Sequence, residues 1–203
     1  MSGTTVSATR AGMLRTEAVE ILAAARGDML SVVTMQPVAT WNALGQADDR
    51  NFDVVGCMGS AASIGLGLAL ARPADRVLVI DGDGSLLMQL ASLVSVAEQR
   101  PRNLYHVVFE NGIYETSGGQ PVPGHGLADL VGVATASGYR HAVRFHTAAE
   151  LGTAVEQTLR LEGPVLVSLR ISGPGVAPGS PRPRAADKPT QIQNMRAALA
   201  GTR

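Results

Sequence analysis

Four short runs of this chain are apolar almost throughout, and they constrain its fold more than any other feature. They are Met29–Thr34 (MLSVVT), Arg76–Ile80 (RVLVI), Leu104–Phe109 (LYHVVF) and Val165–Ile171 (VLVSLRI). A strand with one wet face alternates apolar and polar residues. These runs do not, so both of their faces must be covered, as in a parallel sheet. Between them lie segments with helical spacing of apolar residues: Thr16–Ala25, Gly59–Ala71, Ser85–Glu98 and Thr147–Leu161. Leu127–Ser137 and two weaker strands, near Phe52–Val55 and Tyr139–Val143, complete the alternation. Met35–Asp53 is polar and irregular and reads as a loop with at most one short helical turn. The pattern predicts a three-layer α/β/α domain around a mainly parallel sheet. Ligands of such sheets bind beyond the carboxyl ends of the strands, which singles out the loops after Thr34, Val55, Ile80 and Phe109.

The sequence has 203 residues, 45% of them hydrophobic, enough for one domain with a sizeable core. We expect that domain over residues 1–172. Residues 173–203, rich in Pro and Gly, are expected to form an arm ending in a short helix, Thr190–Leu199. Seventeen basic residues balance seventeen acidic ones, so no net field favours nucleic acid or an anionic membrane. Aromatic residues are only 3%, too few for base-stacking platforms. Cys57 is the sole cysteine, and it points to a reducing cytoplasm. His106, His125, His141 and His146 do not stand at zinc-ligand spacing with it. No apolar run reaches the roughly 18 residues of a membrane span. Met1–Arg15 lacks the apolar centre of a signal peptide.

The chemistry concentrates after two of the strands. Arg76–Ile80 runs into Asp81-Gly-Asp-Gly-Ser85, and Leu104–Phe109 runs into Glu110-Asn-Gly112. About 26 residues separate Gly84 from Asn111, the length of one helix, one strand and their turns. In a parallel sheet that spacing returns the chain to the same edge, so Asp83 and Asn111 can face one cavity. A carboxylate, an amide oxygen and a nearby carbonyl are hard donors suited to Mg²⁺, which takes its remaining ligands from phosphates. Gly82 and Gly84 allow close approach of a diphosphate, and Ser85 is expected to open a helix whose N-terminus attracts anions. An isolated Asp-Gly after a strand is usually only a turn. The combination with Asn-Gly at this spacing is far more specific.

This arrangement resembles the thiamine-diphosphate (ThDP) signature of the decarboxylase and acetolactate synthase superfamily. The resemblance implies that Asp83, the Asn111 side chain and the Ile113 carbonyl hold Mg²⁺, and that Gly82, Gly84, Ser85 and Tyr114 meet the diphosphate. That family usually has Asn-Asn-Gly where this chain has Glu110-Asn111-Gly112. Val55–Leu70 (VGCMGSAASIGLGLAL) and Asn111–Pro121 (NGIYETSGGQP) resemble phosphonopyruvate and sulfopyruvate decarboxylases in particular. By that resemblance Met58 props the cofactor in its bent form, and the Gly56 carbonyl accepts from its aminopyrimidine. Core filling is the plain reading of a lone Met, and a small buried hydrophobe that of Cys57. Glu115 either approaches substrate or is a solvated loop carboxylate. His125 is either a proton donor or an ordinary loop histidine.

The same resemblance implies a partner. Enzymes of this superfamily use a second domain type that binds the aminopyrimidine and supplies a catalytic glutamate. No second α/β unit fits before Thr34 or after Ile171, so that domain is expected on a separate subunit. The expected function is the diphosphate-binding subunit of a split 2-oxo acid decarboxylase. A split carboligase and a non-catalytic scaffold remain alternatives; a dinucleotide-binding domain lacks its G-x-G-x-x-G turn. The loop Met35–Leu44 departs from the two decarboxylases, because Ala39-Thr40-Trp41 carries no arginine for an anionic head. Trp41 either lines an apolar pocket or packs against a helix.

Overall fold

The computed structural model describes residues 12–46, 48–172 and 187–200. Six strands form one all-parallel sheet in the order β2-β1-β3-β4-β8-β7. They are β1 (Leu30–Thr34), β2 (Asn51–Val54), β3 (Val77–Gly82), β4 (Leu104–Glu110), β7 (His141–Phe145) and β8 (Val165–Arg170). β5 (Ile113–Tyr114) and β6 (Gln120–Pro121) form a small antiparallel hairpin outside it. Every residue of β1 and of β4 is buried, as their unbroken apolar runs require.

Successive residues on a strand face opposite sides, so the sheet feeds two cores. Leu78 and Ile80 pack with α1 (Arg15–Arg26), α2 (Pro37–Ala43) and α7 (Ala148–Thr158). Val77 and Val79 pack with α3 (Ala61–Ala71), α4 (Asp83–Met88), α5 (Ser92–Gln99) and α6 (Leu130–Ser137). Adjacent strands β1 and β3 therefore discharge to opposite faces, β1 into α2 and β3 into α4. A crevice opens at the carboxyl edge where such neighbours diverge.

Two expectations are corrected. The polar stretch after β1 contains α2, a helix of seven residues, rather than a loop with a single turn. Pro37 starts it, since proline suits the first helical turn, and its buried side chains are few: Pro37, Val38 and Trp41. The expected helix Ser85–Glu98 is two helices, and the first begins at Asp83. Gln89 leaves helical geometry at φ −140°, ψ 50°. No Gly or Pro marks this break. It falls where Gly59 approaches the Cβ atoms of Met88 and Gln89, at 3.4 and 3.1 Å from where its own Cβ would stand.

Trp41 is fully buried and donates to the Asn51 side chain at 3.0 Å, so it belongs to the core. Cys57, expected to be buried, is exposed. The Pro/Gly-rich arm falls mainly on residues 173–186, outside the described residues. The helix expected at Thr190–Leu199 is α8 (Lys188–Ala200), which packs against edge strand β2. There Gln191 accepts from the Asp53 backbone N–H at 3.3 Å and donates to the Asp53 carboxylate at 3.1 Å.

Helix α3 lies close on the sheet because Gly65 has no side chain. A Cβ there would stand 2.2 Å from Cγ2 of Val79. Val79 is fully buried and its branched side chain is stiff at χ1, so it cannot swing away. Gly65→Ala improves helix propensity, but the overpacking outweighs it. We expect a net loss of about 1–3 kcal/mol in urea unfolding; an unchanged or higher midpoint would show that α3 lifts off freely.

Candidate cofactor-binding site

At the carboxyl edge lies an open cleft holding about 470 Å³ of empty space. The end of β1 contributes Thr34, Met35, Gln36 and Pro37; the turn from β3 into α4 contributes Gly82, Asp83, Gly84 and Ser85. From the end of β4 onward come Phe109, Asn111, Ile113, Tyr114, Glu115 and Thr116. Met58 enters from the loop before α3, and Arg15 from the first position of α1. Helix α1 reaches this edge because Met13 pairs with the far end of β8, through Met13 N to Arg170 O at 2.9 Å.

Asp83 joins the two motifs. One carboxylate oxygen accepts from Gly84 N and the other from Gly112 N, both at 2.8 Å. Burial pushes this carboxyl above its usual range, and the Gly112 and Gly84 amides pull it partly back. A cation beside it would relieve the remaining penalty. Asn111 is oriented at both ends: Oδ1 accepts from Ile113 N at 3.1 Å and Nδ2 donates to Glu115 at 3.2 Å. Ser85 Oγ accepts from Gly59 N at 3.0 Å, which ties the Met58 loop to the β3 turn and leaves the Ser85 hydroxyl hydrogen to donate. Tyr114 covers Gly84 so closely that a Cβ there would lie 2.5 Å from its ring.

Of the residues singled out in the sequence, Met58, Gly82, Asp83, Gly84, Ser85, Asn111, Ile113, Tyr114 and Glu115 all line this one cleft. Gly56 is exposed, at φ 79°, and is not among the lining residues. His125 stacks over Gly112 and lines a smaller neighbouring cavity with Asp83 and Glu110. Glu115 is not a solvated loop carboxylate. Its side chain is 7% exposed and forms an ion pair with Arg15, itself 3% exposed.

Sequence reasoning missed Arg15 and Met35. Arg15 lies one residue before the helix expected from Thr16; only with the helix starting at Arg15 does a cation stand in its first turn, where it opposes the helix dipole and needs an outside reason. Met35 has φ 49°, a left-handed conformation rare for a side-chain-bearing residue, which no local pattern announces. From Thr34 a buried polar row leads away from the cleft. Its hydroxyl meets Asp81 at 3.3 Å, Asp81 faces His106 at 3.4 Å, and His106 approaches the Tyr139 hydroxyl at 3.4 Å.

A cleft at the topological switch of a parallel sheet is where an α/β domain of this kind takes its ligand, and the glycines behind the buried Asp83 leave space for a close-lying one. Residues 33–169 match the family described as thiamine pyrophosphate enzyme, C-terminal TPP binding domain. The chain belongs to that family, and thiamine pyrophosphate, or ThDP, is the cofactor of its domain.

Relatives refine this placement. Phosphonopyruvate decarboxylase of Streptomyces viridochromogenes is 44% identical over 136 residues, 67% of this chain and 34% of that protein. Sulfopyruvate decarboxylase subunit beta of Methanothermobacter thermautotrophicus is 44% identical over 128 residues, 63% of this chain and 65% of that subunit. The chain thus spans about a third of the Streptomyces decarboxylase and about two thirds of the archaeal subunit. Among solved structures, a Rhodococcus jostii RHA1 ThDP-dependent 4-hydroxybenzoylformate decarboxylase superposes with a TM-score of 0.65. It shares 21% identity over 86% of this chain and 35% of its own, a likeness of fold.

Glu110, the departure from Asn-Asn-Gly, is not among the residues that line the main cleft. Its buried carboxylate is held by Arg170 at 2.8 Å, by Arg144 at 3.3 Å and by the Ser168 hydroxyl. Glu110→Asn, the residue usual in the family, removes the shared anion from both arginines. We expect a loss of about 2 kcal/mol in urea unfolding, less than for a fully buried pair because both arginines partly reach solvent. No loss would mean that the arginines find other partners.

Proposed function

We propose that this chain is the diphosphate- and Mg²⁺-binding subunit of a split ThDP-dependent 2-oxo acid decarboxylase of the phosphonopyruvate/sulfopyruvate kind. The observation that carries the reading is the Asp83 bridge to Gly112, which brings the Gly-Asp-Gly-Ser and Asn-Gly turns around one cleft. The donor set supports the metal. Among the described residues no three His, Cys, Asp or Glu side chains gather as a metal cage. Asp83, the Asn111 amide oxygen and the Ile113 carbonyl would hold Mg²⁺, which suits an ion completed by phosphate oxygens.

In this reading the Ser85 backbone amide and hydroxyl bind the diphosphate, and Gly82 and Gly84 bring the backbone close to it, while the Gly84 N–H stays on Asp83. Tyr114 closes over that turn. Glu115 positions the Asn111 amide so that its oxygen, not its nitrogen, faces the metal. Met58, pinned through Gly59 to Ser85, is the apolar prop under the cofactor, and the Gly56 carbonyl accepts from its aminopyrimidine. When bound, the cofactor supplies an electron sink for the pair released as CO₂ leaves a 2-oxo acid. The partner chain, of the alpha type implied by the beta-subunit likeness, contributes the pyrimidine-binding domain and its glutamate. Lone, exposed Cys57 fits a reducing cytoplasm.

Calorimetric titration with ThDP and Mg²⁺ tests the assignment. Asp83→Ala and Asn111→Ala should each abolish Mg²⁺-dependent ThDP binding while circular dichroism stays native. Unchanged affinity in both would remove the metal site from these residues. The partner requirement has its own check: the purified chain alone should release no CO₂ from sulfopyruvate or phosphonopyruvate. Steady turnover by the isolated chain would overturn the split arrangement.

A further inference from the structure

One charged group in the cleft has no role in the scheme above. Arg15 is the only cationic side chain lining the cleft among the described residues. Its Nη2 pairs with Glu115, but its Nη1 is buried and has no hydrogen-bond partner among the described residues. A buried guanidinium nitrogen without an acceptor is costly and is normally avoided. Its position compounds the cost, because Arg15 is the first residue of α1, at the positive end of that helix's dipole. Glu115 supplies one anion, and it is also engaged by Asn111. The planar fork of the guanidinium leaves the second nitrogen free to take another oxygen. The segment after β1 brings Met35, Gln36 and Pro37 to the cleft and no cation.

We propose that Arg15 is the anion receptor of the cleft: its Nη1 takes an oxygen of a phosphoryl, sulfonate or carboxylate group while Nη2 stays on Glu115. The inference rests on the cofactor reading above and adds a recognition element to it. The same chemistry has two sources, the diphosphate of the cofactor and the acid head of a 2-oxo acid. The latter would restore the arginine that the Met35–Leu44 loop lacks. No bond is made or broken; Arg15 orients an anion by charge-assisted hydrogen bonding.

The test is calorimetry on the full chain with three probes. They are inorganic diphosphate with Mg²⁺, phosphonoacetate alone, and phosphonoacetate added after saturation with ThDP and Mg²⁺. Two variants are compared with the wild type. Arg15→Lys keeps a charge for Glu115 but cannot fork. Arg15→Met combined with Glu115→Gln removes both charges, so neither is left buried alone, and thermal unfolding verifies that each variant is folded. The expected result is at least about a tenfold loss of affinity in one arm for both variants. A loss with diphosphate assigns the oxygen to the cofactor; a loss confined to phosphonoacetate assigns it to the substrate head. Equal affinities in every arm overturn the proposal, and so does a wild-type chain that takes up none of the probes. Failure of the cofactor reading looks different: ThDP and Mg²⁺ fail to bind the wild type, while phosphonoacetate still binds in an Arg15-dependent way. If Asp83→Ala abolishes ThDP binding and both Arg15 variants match the wild type, the reading stands and the receptor falls.

Discussion

The Asp83 carboxylate is the contact on which the cleft depends. It accepts one N–H from its own turn and one from the turn after the neighbouring strand, each at 2.8 Å. Parallel strands deliver their loops to a common edge, but pairing within the sheet does not dictate how those loops face each other. A single buried carboxylate that accepts from both fixes their separation and leaves lone pairs directed into the space between. Burial makes such an anion unfavourable by itself. The fold stability lost there is of the kind that a bound cation restores, a common arrangement where a binding site is built at some expense to the empty scaffold.

Around this contact the surrounding elements are fastened in turn. Ser85 accepts from Gly59 and holds the Met58 loop; Asn111 is clasped between Ile113 and Glu115; Arg15 holds Glu115 from the start of α1. Elements far apart in the chain, from both faces of the sheet, thus meet through hydrogen bonds at its carboxyl edge. On the far side of β4, Glu110 is fastened to Arg144 and Arg170, so the strand end is braced from both directions. The residue that departs from the family pattern has been taken up by the sheet's own charge pairing. It serves the scaffold rather than the ligand.

Much of this was legible in the sequence because its physical basis is local or periodic. Apolar runs without alternation require two covered faces, and β1, β3, β4 and β8 are buried almost throughout. The Asp-Gly and Asn-Gly turns could be placed on one edge because a strand–helix–strand unit has a nearly fixed length. What escaped notice depends on tertiary contact. The break at Gln89 follows an approach by Gly59, and the apolar periodicity runs straight through it. Helix α2 buries few residues, so its pattern is faint among polar neighbours. Arg15 lies far from the motifs in sequence, and only the bridge from Met13 to the end of β8 carries it to the cleft.

The outermost strand carries a different consequence. Among the described residues β2 pairs with a strand, β1, on one side only, and a strand margin left open presents peptide groups, the usual starting point for unwanted strand-to-strand association between molecules. Gln191 answers one of these with a side-chain amide that accepts from Asp53 much as a neighbouring strand's carbonyl would. Lys188 lies over the Phe52 ring at 4.9 Å and shields the next position. Helix α8 is therefore a guard on the sheet as well as a piece of packing. Proteolytic trimming that removes it would spare the residues that line the cleft and turn the β2 margin into a nucleus for aggregation.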